Sequence, residues 1–235
     1  MELKEVAARE AVKYVEDGMV VGLGSGSTAK IAIKLLGEMV EAGVNIVGIP
    51  TSKESEDLGR RAGILIGELK ARSVVDITID GADEVDPDMN LVKGLGGALV
   101  REKIVATATN LEIIVIDESK LVDFLGQKVP LPVEIVRFSH EATVHRVGQL
   151  GCKCMLRMKH GERFVSDNGN YIVDCKFARI DDPMKLETEI NLIPGVVDSG
   201  LFLGLADKVI VATKDGTRIM EKDSVLRPRS TSRVP

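Results

Sequence analysis

Apolar residues recur along this chain in two rhythms that alternate with one another. Val75, Ile77 and Ile79 are apolar at every second position, the period of a strand, and they deliver Asp80 to its C-terminal end. Ala32, Leu35, Leu36, Met39 and Val40 recur three and four apart, which predicts a helix with one buried face that stops at Gly43. The same reading gives short strands at Met19–Val21, 44–49 and 64–66. It gives a polar helix capped by Thr51-Ser52 that runs to about Ala62, and another helix over about 98–108. Ile113 to Ile116 is a continuous apolar run, the mark of a central strand buried on both faces. Strands alternating with helices imply parallel βα units, so the expected class is α/β.

The pattern changes after Gly126. Pro130 and Pro132 flank a short segment, a helical stretch covers about 141–150, β-type runs occupy 152–158 and 171–174, and a helix follows near 183–190. A hairpin signal at Asp167-Asn168-Gly169-Asn170 falls among them. We expect a small α+β lobe over 126–204, inserted in a larger domain made of 1–125 and 205–223, where the sheet resumes at 208–212. The aperiodic stretch 224–235 is left outside the fold.

Composition narrows the class of partner. Tryptophan is absent and aromatics are 3%, which disfavours a base-stacking nucleic-acid platform, and a net charge of -5 gives no general attraction to DNA or anionic membrane. No apolar run reaches the roughly 18 residues of a membrane span, and the charged N-terminus lacks a secretion signal, so a cytoplasmic protein is expected. Cys152 and Cys154 form a C-x-C pair with Cys175 apart, and His140, His145 and His160 offer no matching spacing. These read as plain reduced thiols rather than as a metal site.

Candidate chemistry gathers at strand ends. Gly22-Leu23-Gly24-Ser25-Gly26-Ser27-Thr28 joins a strand to a helix, where backbone N–H groups and the helix dipole hold anions. It is not the dinucleotide fingerprint, since Ser27 stands where a third glycine is needed. It reads either as a tight turn with a hydroxyl cap or as an anion site, and the hydroxyls of Ser25, Ser27 and Thr28 favour the second. In the acidic run Asp80 to Asp88, the last two aspartates fit a solvated loop. A calcium loop fails at Val85 and Leu91, which leaves Asp80 and Asp83. Glu102 has Ala98, Leu99, Val105 and Ala106 as helical neighbours, so burial would raise its pKa toward that of a general base. Arg101 and Lys103 have equally apolar flanks, so an ordinary charged surface triplet stays open. Lys93 and Lys120 follow short apolar strands as either surface lysines or site cations.

Taken together, Gly22–Thr28, Asp80-Gly81-Ala82-Asp83-Glu84, Lys93–Lys103, Asp117–Lys120, Leu131-Pro132-Val133-Glu134, Ser166–Asn170, Pro194–Val197 and Gly200–Phe202 resemble the type A ribose-5-phosphate isomerases, in family order over about residues 4–222. The resemblance implies a Rossmann-like open, mostly parallel sheet with helices on both faces, plus the smaller lobe, in homodimers or homotetramers. It implies interconversion of ribose 5-phosphate and ribulose 5-phosphate through an enediolate, with no metal or organic cofactor and a small sugar phosphate as partner. Glu102 would move the proton, Asp80 and Asp83 would serve ring opening and hydroxyl contacts, and Lys93 would stabilise the oxyanion. Ser25, Gly26, Ser27, Thr28, Gly81, Ala82, Gly94, Leu95, Gly96, Lys120 and Lys4 would bind substrate. Two positions depart from the family pattern: Ser25 replaces a threonine, and Leu95 replaces a glycine, so its side chain must point away from the ligand or the turn must shift slightly. The competing readings are a sugar-phosphate sensor that lacks catalysis and a related amino-sugar deaminase.

Overall fold

In the computed structural model, residues 3–71 and 73–221 are described. The tail 224–235 therefore lies outside the described residues. In chain order the first part holds α1 (Leu3–Val12), β1 (Val20–Leu23), α2 (Ser27–Glu41), β2 (Val47–Pro50), α3 (Lys53–Arg61), β3 (Leu65–Ile66) and β4 (Val75–Asp80). Then come β5 (Glu84–Val85), β6 (Leu91–Val92), α4 (Leu99–Thr107) and β7 (Thr109–Asp117). The middle part holds β8 (Leu131–Ile135), α5 (His140–Gly148), β9 (Lys153–Leu156), β10 (Met158–Lys159), β11 (Glu162–Arg163), β12 (Tyr171–Lys176) and α6 (Pro183–Asn191). The chain closes with β13 (Val196–Ser199), β14 (Leu201–Phe202), β15 (Lys208–Thr213) and β16 (Gly216–Glu221).

Seven strands form the main sheet in the order β16-β15-β7-β4-β1-β2-β3, and all neighbours are parallel except β15 with β16. The chain is an α/β protein whose apolar runs are the inner strands: Ile113 to Ile116 sit at the sheet centre with at most 1% of their surface exposed. One face is closed by α1 and α2 through Ala7, Ala8, Ala11, Ala32 and Leu36, and the other by α4, Phe202 and Leu99. The alanine stripe of α1 lets that helix lie close to the sheet, and so carries Lys4 to the start of α2. Neither α1 nor β16 was anticipated above: α1 shows alanines rather than bulky residues, and β16 is an edge strand with mostly exposed side chains.

Strands β13-β8-β12-β9 make a separate antiparallel sheet, which shares an apolar cluster with Val147 of α5 and with Leu186 and Ile190 of α6. A three-stranded sheet, β14-β6-β5, connects the return of the chain to the segment just before Lys93. Because β6 pairs with β14, the Lys93 N–H reaches the Gly200 carbonyl at 2.9 Å.

Candidate active site

The carboxyl ends of β1, β4 and β7 lie side by side, and in open parallel sheets this is the edge where ligands bind. Each end opens into one of the polar loops. At the first, Gly24 sits against Asp80 so closely that a Cβ on it would lie 2.4 Å from Asp80 Oδ1. Only glycine allows the two loops to touch there. Asp80 Oδ1 accepts hydrogen bonds from the N–H groups of Ser25 at 2.8 Å and Gly81 at 2.7 Å, and so ties the loops together.

Lys93 is the hub. Its Nζ lies 3.0 Å from Asp80 Oδ2 and 3.1 Å from Glu102 Oε1, and it also donates to the Gly81 carbonyl. All three side chains are buried, with Lys93 2% exposed and Glu102 5%. Three acceptors use the three donors of an ammonium. Burial alone would lower the Lys93 pKa, but the charges of Asp80 and Glu102 outweigh it and hold the lysine protonated. Glu102 is pushed up to about 8, chiefly by burial and against the pull of Lys93. Burial also raises Asp83, although the Leu95 N–H donates to its Oδ2 at 2.9 Å. Glu112, on the strand beside Asp80, is likewise held well above its ordinary value by burial.

The three charges in the Arg101-Glu102-Lys103 triplet diverge. Arg101 turns to the 166–170 loop, donating to Asn168 Oδ1 at 2.8 Å, and Lys103 turns to Asp198 at 2.6 Å and Glu187 at 3.2 Å. Of the three, Glu102 alone lines the cavity. That loop is itself held by Glu134, a fully buried carboxylate whose Oε1 accepts from Ser166, Asn168 and Asn170.

The cavity above the hub is lined by Lys4, Ser25, Gly26, Ser27, Thr28, Gly81, Ala82, Asp83, Lys93, Gly94, Gly96, Glu102, Asp117 and Lys120, together with Val115 and Ile116. Two of the expected site residues are not on its wall. Asp80 lies behind Lys93, and the Leu95 side chain is 38% exposed, so that residue offers the site its backbone N–H to Asp83. Ser25 lines the cavity, but its hydroxyl donates to Ser52 Oγ at 2.8 Å and meets Thr51 Oγ1 at 2.9 Å, so it braces the loop. At α2 the cap position is Gly26 with φ 91°, and no side chain caps the helix. The N–H groups of its first turn therefore face the cavity mouth, where Lys4 Nζ lies 3.0 Å from Ser27 Oγ. Val115, Ile116 and Asp117 are not among the expected site residues: the apolar run 113–116 marks the inner part of β7 but not which of its residues line a cavity.

A buried carboxylate of raised pKa beside a buried ammonium, under a rim with two lysines and an uncapped helix start, defines an acid–base enzyme site for a small anion. A family model for ribose 5-phosphate isomerase A (phosphoriboisomerase A) matches residues 47–216. The chain is 52% identical to the ribose-5-phosphate isomerase A of Gloeobacter violaceus, over 93% of this chain and 95% of that protein, and 46% identical to that of Pyrococcus abyssi, over 94% and 98%. The solved ribose 5-phosphate isomerase A of Methanocaldococcus jannaschii superposes with a TM-score of 0.89 at 43% identity, covering 94% of this chain and 98% of that one. A second solved structure, a D-ribose-5-phosphate isomerase in complex with phospho-erythronic acid, has a TM-score of 0.91 at 45% identity, over 94% and 98%. This chain belongs to the ribose 5-phosphate isomerase A family.

Proposed function

We propose that this chain interconverts ribose 5-phosphate and ribulose 5-phosphate, with Glu102 as the base. The observation that carries the assignment is the contact between Glu102 and Lys93, both buried and 3.1 Å apart. The ionised Glu102 removes the proton from C2 of the open-chain aldose, and the electron pair moves to the carbonyl oxygen to give an enediolate. Glu102, whose proton exchanges with solvent, then delivers a proton to C1, while the O2 hydroxyl proton passes to O1 and C2 becomes the carbonyl carbon. In the resting site every N–H of Lys93 is engaged. When Glu102 takes the proton its charge disappears, and the N–H that faced it turns to the enediolate oxygen, where negative charge has just formed. The oxyanion donor is thus released by the step that needs it.

Asp83, on the cavity wall with a raised pKa, suits proton exchange with the ring oxygen and C1 hydroxyl during ring opening. Asp80 touches no cavity space and acts as a positioning residue that fixes Lys93 and both loops. The substrate phosphate sits at the start of α2, between Lys4, Ser27, Thr28 and Lys120. The complex of a related isomerase with phospho-erythronic acid supports a phosphorylated sugar chain of this kind as ligand. We read the sites as carried by homodimers or homotetramers in the cytoplasm.

Two measurements test this. Ribose 5-phosphate should be converted at full rate in the presence of a chelator; no ketose, or ammonia release from an amino sugar phosphate instead, would overturn the assignment. Lys120→Ala should raise KM by about 10–100-fold with kcat little changed, as expected for one charge-assisted hydrogen bond to phosphate of about 1.5–3 kcal/mol. An unchanged KM would remove Lys120 from the phosphate site.

A further inference from the structure

The three cysteines come together in the antiparallel sheet of the middle part. Cys154 on β9 and Cys175 on β12 are directly opposed cross-strand partners, and Cys152, two residues earlier, shares the face of Cys154. Their sulfurs lie 3.6 Å apart for Cys152 and Cys154 and 3.9 Å for Cys154 and Cys175, with all three within 4.8 Å of one another. The backbone sets this triangle: residue i, residue i+2 and the residue paired across to i+2 are the places from which three side chains converge on one point.

From this geometry we infer a cation site outside the catalytic cavity, in which Cys152, Cys154 and Cys175 bind one zinc(II) ion with its fourth position open to solvent. Tetrahedral Zn–S bonds of about 2.3 Å place sulfurs about 3.8 Å apart, the separation already present at two edges of the triangle. Cys175 is fully buried, whereas Cys152 and Cys154 are half-buried, so water reaches the cluster past those two and completes the shell. Three thiolates leave one net negative charge around a divalent ion and two around a monovalent one. Beside a fully buried sulfur the smaller residual charge costs less, which favours zinc(II) over copper(I). On binding, three S–H protons pass to solvent, three Zn–S bonds form, and no electron is transferred. The ion would pin β9, the edge strand of its sheet, to β12.

The test titrates metal-free, fully reduced protein with zinc(II) against a chromophoric chelator, with cobalt(II) as spectroscopic probe and copper(I) as a second arm. We expect one zinc per chain, a thiolate-to-cobalt charge-transfer band, and a melting temperature raised by zinc. Cys152→Ser and Cys154→Ser should each weaken zinc binding more than the ~10–100-fold typical of outer-shell changes. Both variants should keep isomerase turnover, which reports an intact fold even where Cys175→Ser fails to fold. Zinc binding that survives both substitutions, no binding to the wild type, or capture of copper(I) without zinc would each overturn the site.

Discussion

Glu102→Gln should lower kcat by about 10²–10⁴-fold, the usual contribution of a positioned base, while a phosphorylated four-carbon sugar acid still binds with nearly unchanged affinity. Glutamine keeps the volume of the side chain and an oxygen for Lys93, but it cannot take a proton from carbon. Because burial holds Glu102 at about 8, the wild type is mostly protonated at neutral pH. Its kcat/KM should therefore fall about tenfold per pH unit well below 8 and level off above it, and the residual activity of the glutamine variant should lack that limb. The same shift sets a stability trend. The fold favours protonated Glu102, so that contribution is complete below the ordinary glutamate pKa and is lost as pH rises through about 8. Glu102→Gln should remove this loss, which pH-dependent melting would show. Unchanged turnover in the variant would end the assignment of the base.

Lys93→Met should have the second large effect, and on two properties at once. Measured above pH 8, where Glu102 is ionised, it leaves Asp80 and Glu102 buried without the cation that both face, and breaking a buried pair in this way costs about 3–5 kcal/mol. In a chain of this size that lowers the melting temperature by roughly 6–20 °C. It also removes the donor for the enediolate oxygen, a loss of about 10²–10³-fold in kcat. Adding Glu102→Gln to Lys93→Met should recover part of the stability, since one unpaired carboxylate is gone, and none of the activity. A double variant as unstable as the sum of the two single changes would show that the three groups do not act as a unit.

Much of this arrangement is visible in the chain before folding, and the remainder has a physical reason for being hidden. The alternation of Val75, Ile77 and Ile79 places Asp80 at a strand end, and β4 ends there. Glu102 is different. Its helical neighbours are apolar, but so are those of Arg101 and Lys103, and the inward face is chosen by partners distant in sequence: Asn168 draws Arg101 away and Asp198 draws Lys103. Periodicity carries no such information. A leucine at position 95 calls for a side chain that points away from the ligand or a turn that shifts slightly, and the turn exposes that side chain and uses the Leu95 N–H for Asp83. The hydroxyl of Ser25 read as a ligand donor, yet Thr51 and Ser52 approach it from a separate loop. Two-residue strands such as β5 and β14 hold too few positions to show any period, although their pairing with β6 sets Lys93 in place. Cys175 joins Cys152 and Cys154 through strand register alone.

Exchange with solvent during turnover tests the central claim most directly. Wild-type protein given ribose 5-phosphate in D2O, with products followed by NMR, should place deuterium at C1 of the ribulose 5-phosphate and at C2 of recovered ribose 5-phosphate, because the proton rests on Glu102 between the two carbons. Conversion with all substrate hydrogen retained and no deuterium gained would mean transfer between the carbons with no exchange at Glu102, and would contradict the account.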